Sequence, residues 1–412
     1  MSKFYKTNYD DFVLKLKQKS TIEPLKNYIL WQRMVRNNKK NGNTENTCNL
    51  LIGPVSINID ITVNCNFSCS HCVDSKILNT GDRFTLDELF SIIKVLSSNG
   101  LKSIILIGGG EPVLHPQFES IVRFIKSLRL QLAIVTNGSN ISKLINVADC
   151  LTEKDWIRFS LDSGTDKTFQ LIHNPKNKVK LLEICTGAKR IKEINEKVSI
   201  GYSYIIFYED CNTNGNKLIE NVDEIPMAVE LAIQSRFDYI SFKPCLIKTD
   251  STYNRETLLY NETENRIKII TNKIKQRLFE AKKLSYGRIN CIESVNLRAM
   301  FANELDQYKT QPQNCHSQIF RQIVTPSGIY HCPAYRGDLK SLITSTDGYI
   351  SQQKYEETVG KNIEHLFRFD ASKECKDIVC FYNRINWWIE DYINSGEDVA
   401  SIKAVPDKNY FF

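Results

Sequence analysis

The sequence has no uninterrupted apolar run near the ~18 residues that a membrane-spanning helix needs, which excludes such a segment. Its opening stretch, MSKFYKTNYDDFVLKLKQ, has neither the apolar core nor the small-residue cleavage site of a secretory signal, so the expected location is the cytoplasm. No internal repeat with a period of about 20–50 residues is present, which removes solenoids and propellers. Charge of one sign is also scarce: 54 basic against 47 acidic residues give a formal +7. The basic residues form no stripe interleaved with aromatics, so they read as a solvated face and not as a nucleic-acid surface. With 42% apolar and 25% charged residues, the composition is that of an ordinary globular protein. Its 412 residues are enough for two or three modules, or for one barrel with extensions.

Cysteine, by contrast, is abundant, with thirteen in the chain. Disulfides are disfavoured in a reducing compartment, so clustered cysteines there indicate metal binding or catalysis. They form a tight triplet (Cys65, Cys69, Cys72), a late set (Cys315, Cys332, Cys375, Cys380) and scattered singles.

Residues 9–36 read as one or two amphipathic helices, followed by a polar linker over 37–47. Short β-rich runs then alternate with helical ones. The runs at 56–63, 103–108, 131–136, 156–162, 198–206 and 239–243 are mostly apolar on both faces, as strands of a helix-covered parallel sheet are. The alternation predicts βαβ units with right-handed crossovers, closing as a doubly wound sheet or an open barrel. A long helix is expected over 262–283. After it, turn signals and the late cysteines suggest a smaller module ending in a helix over 381–394. The division expected is therefore 1–50 (helical extension and linker), 51–250 (the βα repeat), 251–284 (connecting helix) and 285–412 (cysteine-rich module).

The triplet, TVNCNFSCSHC, follows the first predicted strand. Its C-x-x-x-C-x-x-C spacing puts three thiolates on one loop, enough for three corners of a 4Fe–4S cluster and one short of a structural zinc site. A zinc knuckle completed by His71 or a distant residue is the competing reading. GGGEP (108–112) ends the second strand, TNG (136–138) the third and FSLDSG (159–164) the fourth. Glycines at such an end let backbone approach a ligand closely, and polar residues at barrel strand ends point into the mouth.

These four motifs, in this order, resemble the radical S-adenosylmethionine superfamily over roughly residues 56–245. The resemblance implies a partial (β/α)6 TIM-like barrel of the α/β class. It implies a 4Fe–4S cluster on Cys65, Cys69 and Cys72 whose open iron is chelated by S-adenosylmethionine. It also implies cofactor contacts from Gly109, Gly110 and Glu111, with Asn137, Ser160 and Asp162 near the nucleoside. Ser160 and Asp162 are expected to share one face of the fourth strand. Helix capping or a turn is the alternative role for Asp162, and a turn for Asn137.

Cys315 and Cys332 flank a predicted hairpin with Gly328 in its turn, and Cys375 and Cys380 follow. This resembles the auxiliary-cluster extension called twitch or, in its longer form, SPASM. The denser cysteine run of the longer form is missing, so a small C-terminal α+β module with one auxiliary 4Fe–4S cluster is expected. A zinc site or plain burial are the alternatives, with Cys291, His316 and His331 as reserve ligands. Cys375 and Cys380 can both be ligands only if the first lies in a loop and the second near the start of the next helix.

Cys245, just after the sixth strand, is a candidate catalytic hydrogen donor and otherwise a small buried residue. Lys243 is a candidate contact for an anionic substrate and otherwise a surface lysine. Cys48, Cys150, Cys185 and Cys211 read as residues without a role. The resemblance implies an oxidoreductase that abstracts hydrogen from its substrate, and the short auxiliary module leaves room for a compact pocket, so a small polar metabolite of sugar or aminosugar type is expected. It also implies an external one-electron donor such as a flavodoxin or ferredoxin. A ribosomally made peptide is the second substrate class, and a non-catalytic iron–sulfur carrier the reading of another class.

Overall fold

The computed structural model describes residues 11–41, 50–213, 216–248, 256–259 and 262–412; Cys48 lies outside them. The chain forms two compact units, one of residues 1–58, 87–104 and 306–412, the other of residues 59–86 and 105–305. Among the described residues no helix is long and apolar enough to cross a membrane.

The strands used below are β1 (Ser56–Ile59), β2 (Ser103–Leu106), β3 (Gln131–Thr136), β4 (Trp156–Ser160), β5 (Ser199–Ile206), β6 (Tyr239–Pro244), β7 (Asn290–Glu293), β8 (Arg321–Thr325), β9 (Gly328–Tyr330) and β10 (Leu342–Thr344).

In the second unit β3, β4, β5, β6 and β7 stand side by side in chain order, every pair parallel. The architecture is the α/β parallel arrangement that the alternation predicts. Helix Phe118–Ser127 shows why the crossovers form. Phe118, Ile121, Val122 and Ile125 recur at helical spacing and are all buried, with Glu119 in its first turn and Lys126 in its last. Helix Leu181–Ile194 repeats the pattern through Leu181, Ile184, Cys185, Ala188 and Ile191. Residues 166–195 form two helices: one ends at His173 on a left-handed Asn174, and the next begins at Leu181. The structure adds β7, a parallel strand beyond the six read from the sequence. Its four residues, NCIE, have no distinctive apolar run to announce them.

In the first unit β1 borders β8, and β8, β9 and β10 follow as an antiparallel sheet. The predicted hairpin is β8–β9, with Gly328 at φ +145° beside the turn. Helix Ile22–Lys40 and helix Asn383–Ser395 share a core of Leu25, Tyr28, Ile29, Phe320, Ile385, Ile389 and Phe412.

Candidate active site

The triplet loop sits in the second unit on the C-terminal end of helix Asp166–His173. Backbone N–H groups of Ser68 and Ser70 donate to the carbonyls of His173, Asn174 and Ile172, orphan acceptors of that helix end. Phe67, fully buried, wedges against Phe169 and His173 and fixes the loop from beneath. Cys65 N–H donates to Asn79 Oδ1 at 2.9 Å, and Cys72 N–H to the Cys69 carbonyl at 3.2 Å. All three thiols are partly exposed. They lie close enough that Cys65 and Cys72 each raise the thiol pKa of Cys69, after the larger effect of burial.

The glycine motif packs directly on this loop. Gly109 has φ +53° and its N–H donates to Asp74 Oδ2 at 3.1 Å. Gly110 lies so close that a Cβ there would meet Asn64 O at 2.6 Å. Glu111 N–H then donates to that Asn64 carbonyl at 2.8 Å. The Glu111 carboxylate is buried and accepts from Thr136 Oγ1 (2.6 Å), Asn137 N–H (2.7 Å) and Val113 N–H (3.2 Å). Burial outweighs those donors and lifts its pKa to about 7. Asn137 reaches back through Nδ2 to Asn66 Oδ1 at 3.0 Å, with Ser139 Oγ accepting from Asn66 Nδ2 at 2.9 Å. Gly109, Gly110, Glu111 and Asn137 are thus brought together around the loop that carries Cys65.

Asp162 departs from expectation. β4 ends at Ser160, and Asp162 turns left-handed at φ +49°, so the alternation that would align it with Ser160 stops short of it. Its Oδ1 accepts from Ile205 N–H at 2.7 Å, and Oδ2 lies 3.5 Å from Nε2 of both His71 and His173. Burial pushes its pKa up, but the two imidazoles and the N–H more than reverse that. His173, which nothing in the sequence singles out, also places Nδ1 3.2 Å from Cys69 Sγ. Burial lowers its pKa to about 4.

On β4, Trp156, Arg158 and Ser160 share one partly exposed face, while Ile157 and Phe159 are buried on the other. Strand register sets Ser160 beside Ser203 and Ser203 beside Ser241. Lys243 Nζ reaches the Ser203 hydroxyl at 3.4 Å. Arg158 stacks over Trp156 at 5.1 Å, its Nε without a hydrogen-bond partner. Cys245 is buried just beyond β6, and its N–H donates to the Ile206 carbonyl at 3.2 Å. Its thiol hydrogen-bonds that of the buried Cys211, which also bonds Tyr208.

A model of the radical SAM superfamily matches residues 59–210, the segment holding all of these motifs. The chain thus carries a radical SAM domain over residues 59–210. It is 33% identical over 113 residues to an S-adenosylmethionine-dependent nucleotide dehydratase of Selenomonas ruminantium, covering 27% of this chain and 40% of that one. It is likewise 33% identical over 120 residues to a probable GTP 3′,8-cyclase of Pyrococcus horikoshii, covering 28% and 37%. The chain thus spans about two fifths of the length of the curated relatives it matches. Its fold is similar to that of Streptococcus suis SuiB bound to S-adenosylmethionine, with TM-score 0.53 and 15% identity over 79% of this chain and 71% of that one.

This superfamily's cofactors are a 4Fe–4S cluster and S-adenosylmethionine, and the residues present fit both. Three free thiols on one irregular loop match a cluster with one open iron. Gly109 and Gly110 place side-chain-free backbone directly against Asp60 and the segment leading into Cys65, a close approach that a side chain would block.

The late cysteines converge in the first unit. Cys315, Cys332, Cys375 and Cys380 all line one cavity together with Arg321, His331 and Asn386. Burial raises every one of these thiol pKa values, Cys332 to about 12; Cys315 adds to the rise at Cys332, and Cys315 and Cys332 add to it at Cys375 and Cys380. Cys375 caps the short helix Ala371–Glu374, and Cys380 precedes helix Asn383–Ser395, so the loop geometry that both need is present. Among the reserve ligands, His331 lines the cavity. His316 has both ring nitrogens engaged, by Tyr28 at 2.7 Å and Glu390 at 2.9 Å. Cys291 lies on β7 in the second unit, hydrogen-bonded to Ser285.

Proposed function

We propose that the protein cleaves S-adenosylmethionine reductively and uses the product radical on a small, anionic, hydroxyl-rich metabolite such as a nucleotide or nucleotide-linked sugar. When bound, the cluster and S-adenosylmethionine supply that radical: an external donor's electron breaks the C5′–S bond, leaving methionine and a 5′-deoxyadenosyl radical that takes hydrogen from a substrate C–H. Cys65, Cys69 and Cys72 hold the cluster, while Gly109, Gly110 and Glu111 bind the methionine end. Asn137, Ser160 and Asp162 stand on the nucleoside side, where the Asp162 carboxylate keeps His71 and His173 in place. Cys315, Cys332, Cys375 and Cys380 hold one auxiliary 4Fe–4S cluster, which fits a net oxidation of the substrate.

The substrate reading rests on one observation, the polar row on the shared face of β4–β6. Ser160, Ser203 and Ser241 stand in register between two cations, Arg158 and Lys243. Arg158 has no carboxylate in ion-pair reach among the described residues. Such a set suits a ligand bearing both hydroxyls and phosphate. The names of the two relatives, a nucleotide dehydratase and a GTP cyclase, support the same class.

The test is 5′-deoxyadenosine release under strong reduction with nucleoside triphosphates, nucleotide sugars, neutral sugars and a peptide panel. Stimulation by phosphorylated compounds, lost in Arg158→Gln and Lys243→Gln, is expected. Stimulation by peptides alone would replace this substrate class with the peptide one. No 5′-deoxyadenosine from a fully loaded protein would favour an iron–sulfur carrier.

A further inference from the structure

Arg321 opens β8 in the first unit and is only 4% exposed. A guanidinium is charged at any physiological pH, so burying it without a counter-charge is strongly unfavourable. Among the described residues Arg321 makes no ion pair, and its Nε has no hydrogen-bond partner. Its guanidinium carbon lies 5.1 Å from the centroid of the Tyr382 ring, which orients the group but carries no net charge. The cavity that Arg321 lines is walled by the four late cysteines. These four side chains share the cavity with the guanidinium, and no carboxylate among the described residues lines it. Ser317 Oγ at 3.4 Å and Asn386 Nδ2 at 3.9 Å from Cys315 Sγ add neutral dipoles.

We infer that Arg321 is the fixed counter-charge for an anionic group held by Cys315, Cys332, Cys375 and Cys380, and that it sets the reduction potential of that group. The inference rests on the auxiliary-cluster reading. Adding an electron to an already anionic cluster is easier beside a buried cation, so Arg321 holds the potential up. It is a positioning residue that acts through charge, and its role differs from that of the cysteines in tolerating lysine.

The experiment uses the full chain carrying Cys65/Cys69/Cys72→Ala, reconstituted anaerobically so that only the late site loads. Iron and labile sulfide are counted and the midpoint potential is read by a paramagnetic-resonance titration, with Arg321 intact, Arg321→Lys and Arg321→Gln. Arg321→Gln is expected to lower the potential by at least about 59 mV, a tenfold change in the one-electron equilibrium, and Arg321→Lys to restore most of it. Loss of iron in Arg321→Gln with retention in Arg321→Lys supports the same role at the level of assembly. An unchanged potential in Arg321→Gln overturns it, as does Arg321→Lys failing as badly as Arg321→Gln. If the parent triple variant takes up no iron, the auxiliary-cluster reading fails first, and the inference falls with it.

Discussion

Replacing Gly110 with alanine isolates the contact between the glycine motif and the cluster loop. The added methyl carbon would stand 2.6 Å from Asn64 O, 2.6 Å from Val63 C and 2.7 Å from Thr62 O. All three are backbone atoms, so no side-chain rotation relieves the clash, and the segment entering Cys65 has to move. Overpacking of this kind costs about 1–3 kcal/mol. For a unit of this size that is a melting-temperature loss of roughly 2–4 °C per kcal/mol. Iron uptake should suffer more than stability, because the displaced backbone is the one that sets the first thiol. The assay is iron and sulfide content after anaerobic reconstitution, paired with a thermal melt of the apo protein. Gly360→Ala is the control: Gly360 lies within helix Gln352–Arg368 with nothing within 4 Å of the new carbon, so about 0.5–1 kcal/mol of added helix stability is expected. Wild-type iron content and melting temperature in Gly110→Ala would refute the close-approach argument.

Three further outcomes follow from the same contacts. Wild-type protein should hold about eight irons and the Cys65/Cys69/Cys72→Ala variant about four; four falling to none would make the late cysteines structural. Glu111 has a folded pKa of about 7 against an ordinary 4.5, so the native state binds the extra proton between those values. Stability of the apo protein should therefore fall as pH rises from about 4.5 to about 7 and level off above it. Urea unfolding at pH 5, 6 and 7 should show that slope missing in Glu111→Gln, and equal slopes would count against it. Glu390 works in the opposite sense. Although burial opposes it, the paired Arg36 contacts at 2.7 Å and the His316 bond hold its pKa well below 4.5. Its contribution is present above that value and lost as pH falls. Glu390→Gln should cost about 1–3 kcal/mol at pH 7 and flatten the acid limb of the unfolding curve.

The strands were legible because helix cover makes them apolar on both faces, and the cluster loop because its spacing is local. Gly109 and Gly110 could be placed for the same reason: each motif ends its own strand. Side-chain neighbours across the sheet could not be read, since Ser203 meets Ser160 and Ser241 through register, which a run apolar on both faces does not encode. Asp162 was misplaced because one left-handed residue undoes a period-two argument. His173 and Arg321 carry no local signature at all. Each matters through a contact made across a large sequence separation, His173 to Cys69 and Arg321 to a cavity walled by residues 315–386.

The two cysteine groups also impose an order of birth on the protein. Cys65, Cys69 and Cys72 occupy a single short loop, so all three have left the ribosome while most of the chain is still unmade. The late set is complete only when Cys380 has emerged, long after Cys72. Its Cys315 neighbour His316 is bonded to Tyr28 and Glu390, and Glu390 to Arg36, so the helix Ile22–Lys40 must wait for that last segment before its buried face is covered. A ribosome stalled before residue 380 would carry a chain able to offer three sulfurs to iron, with its N-terminal helix still lacking the partners that bury it.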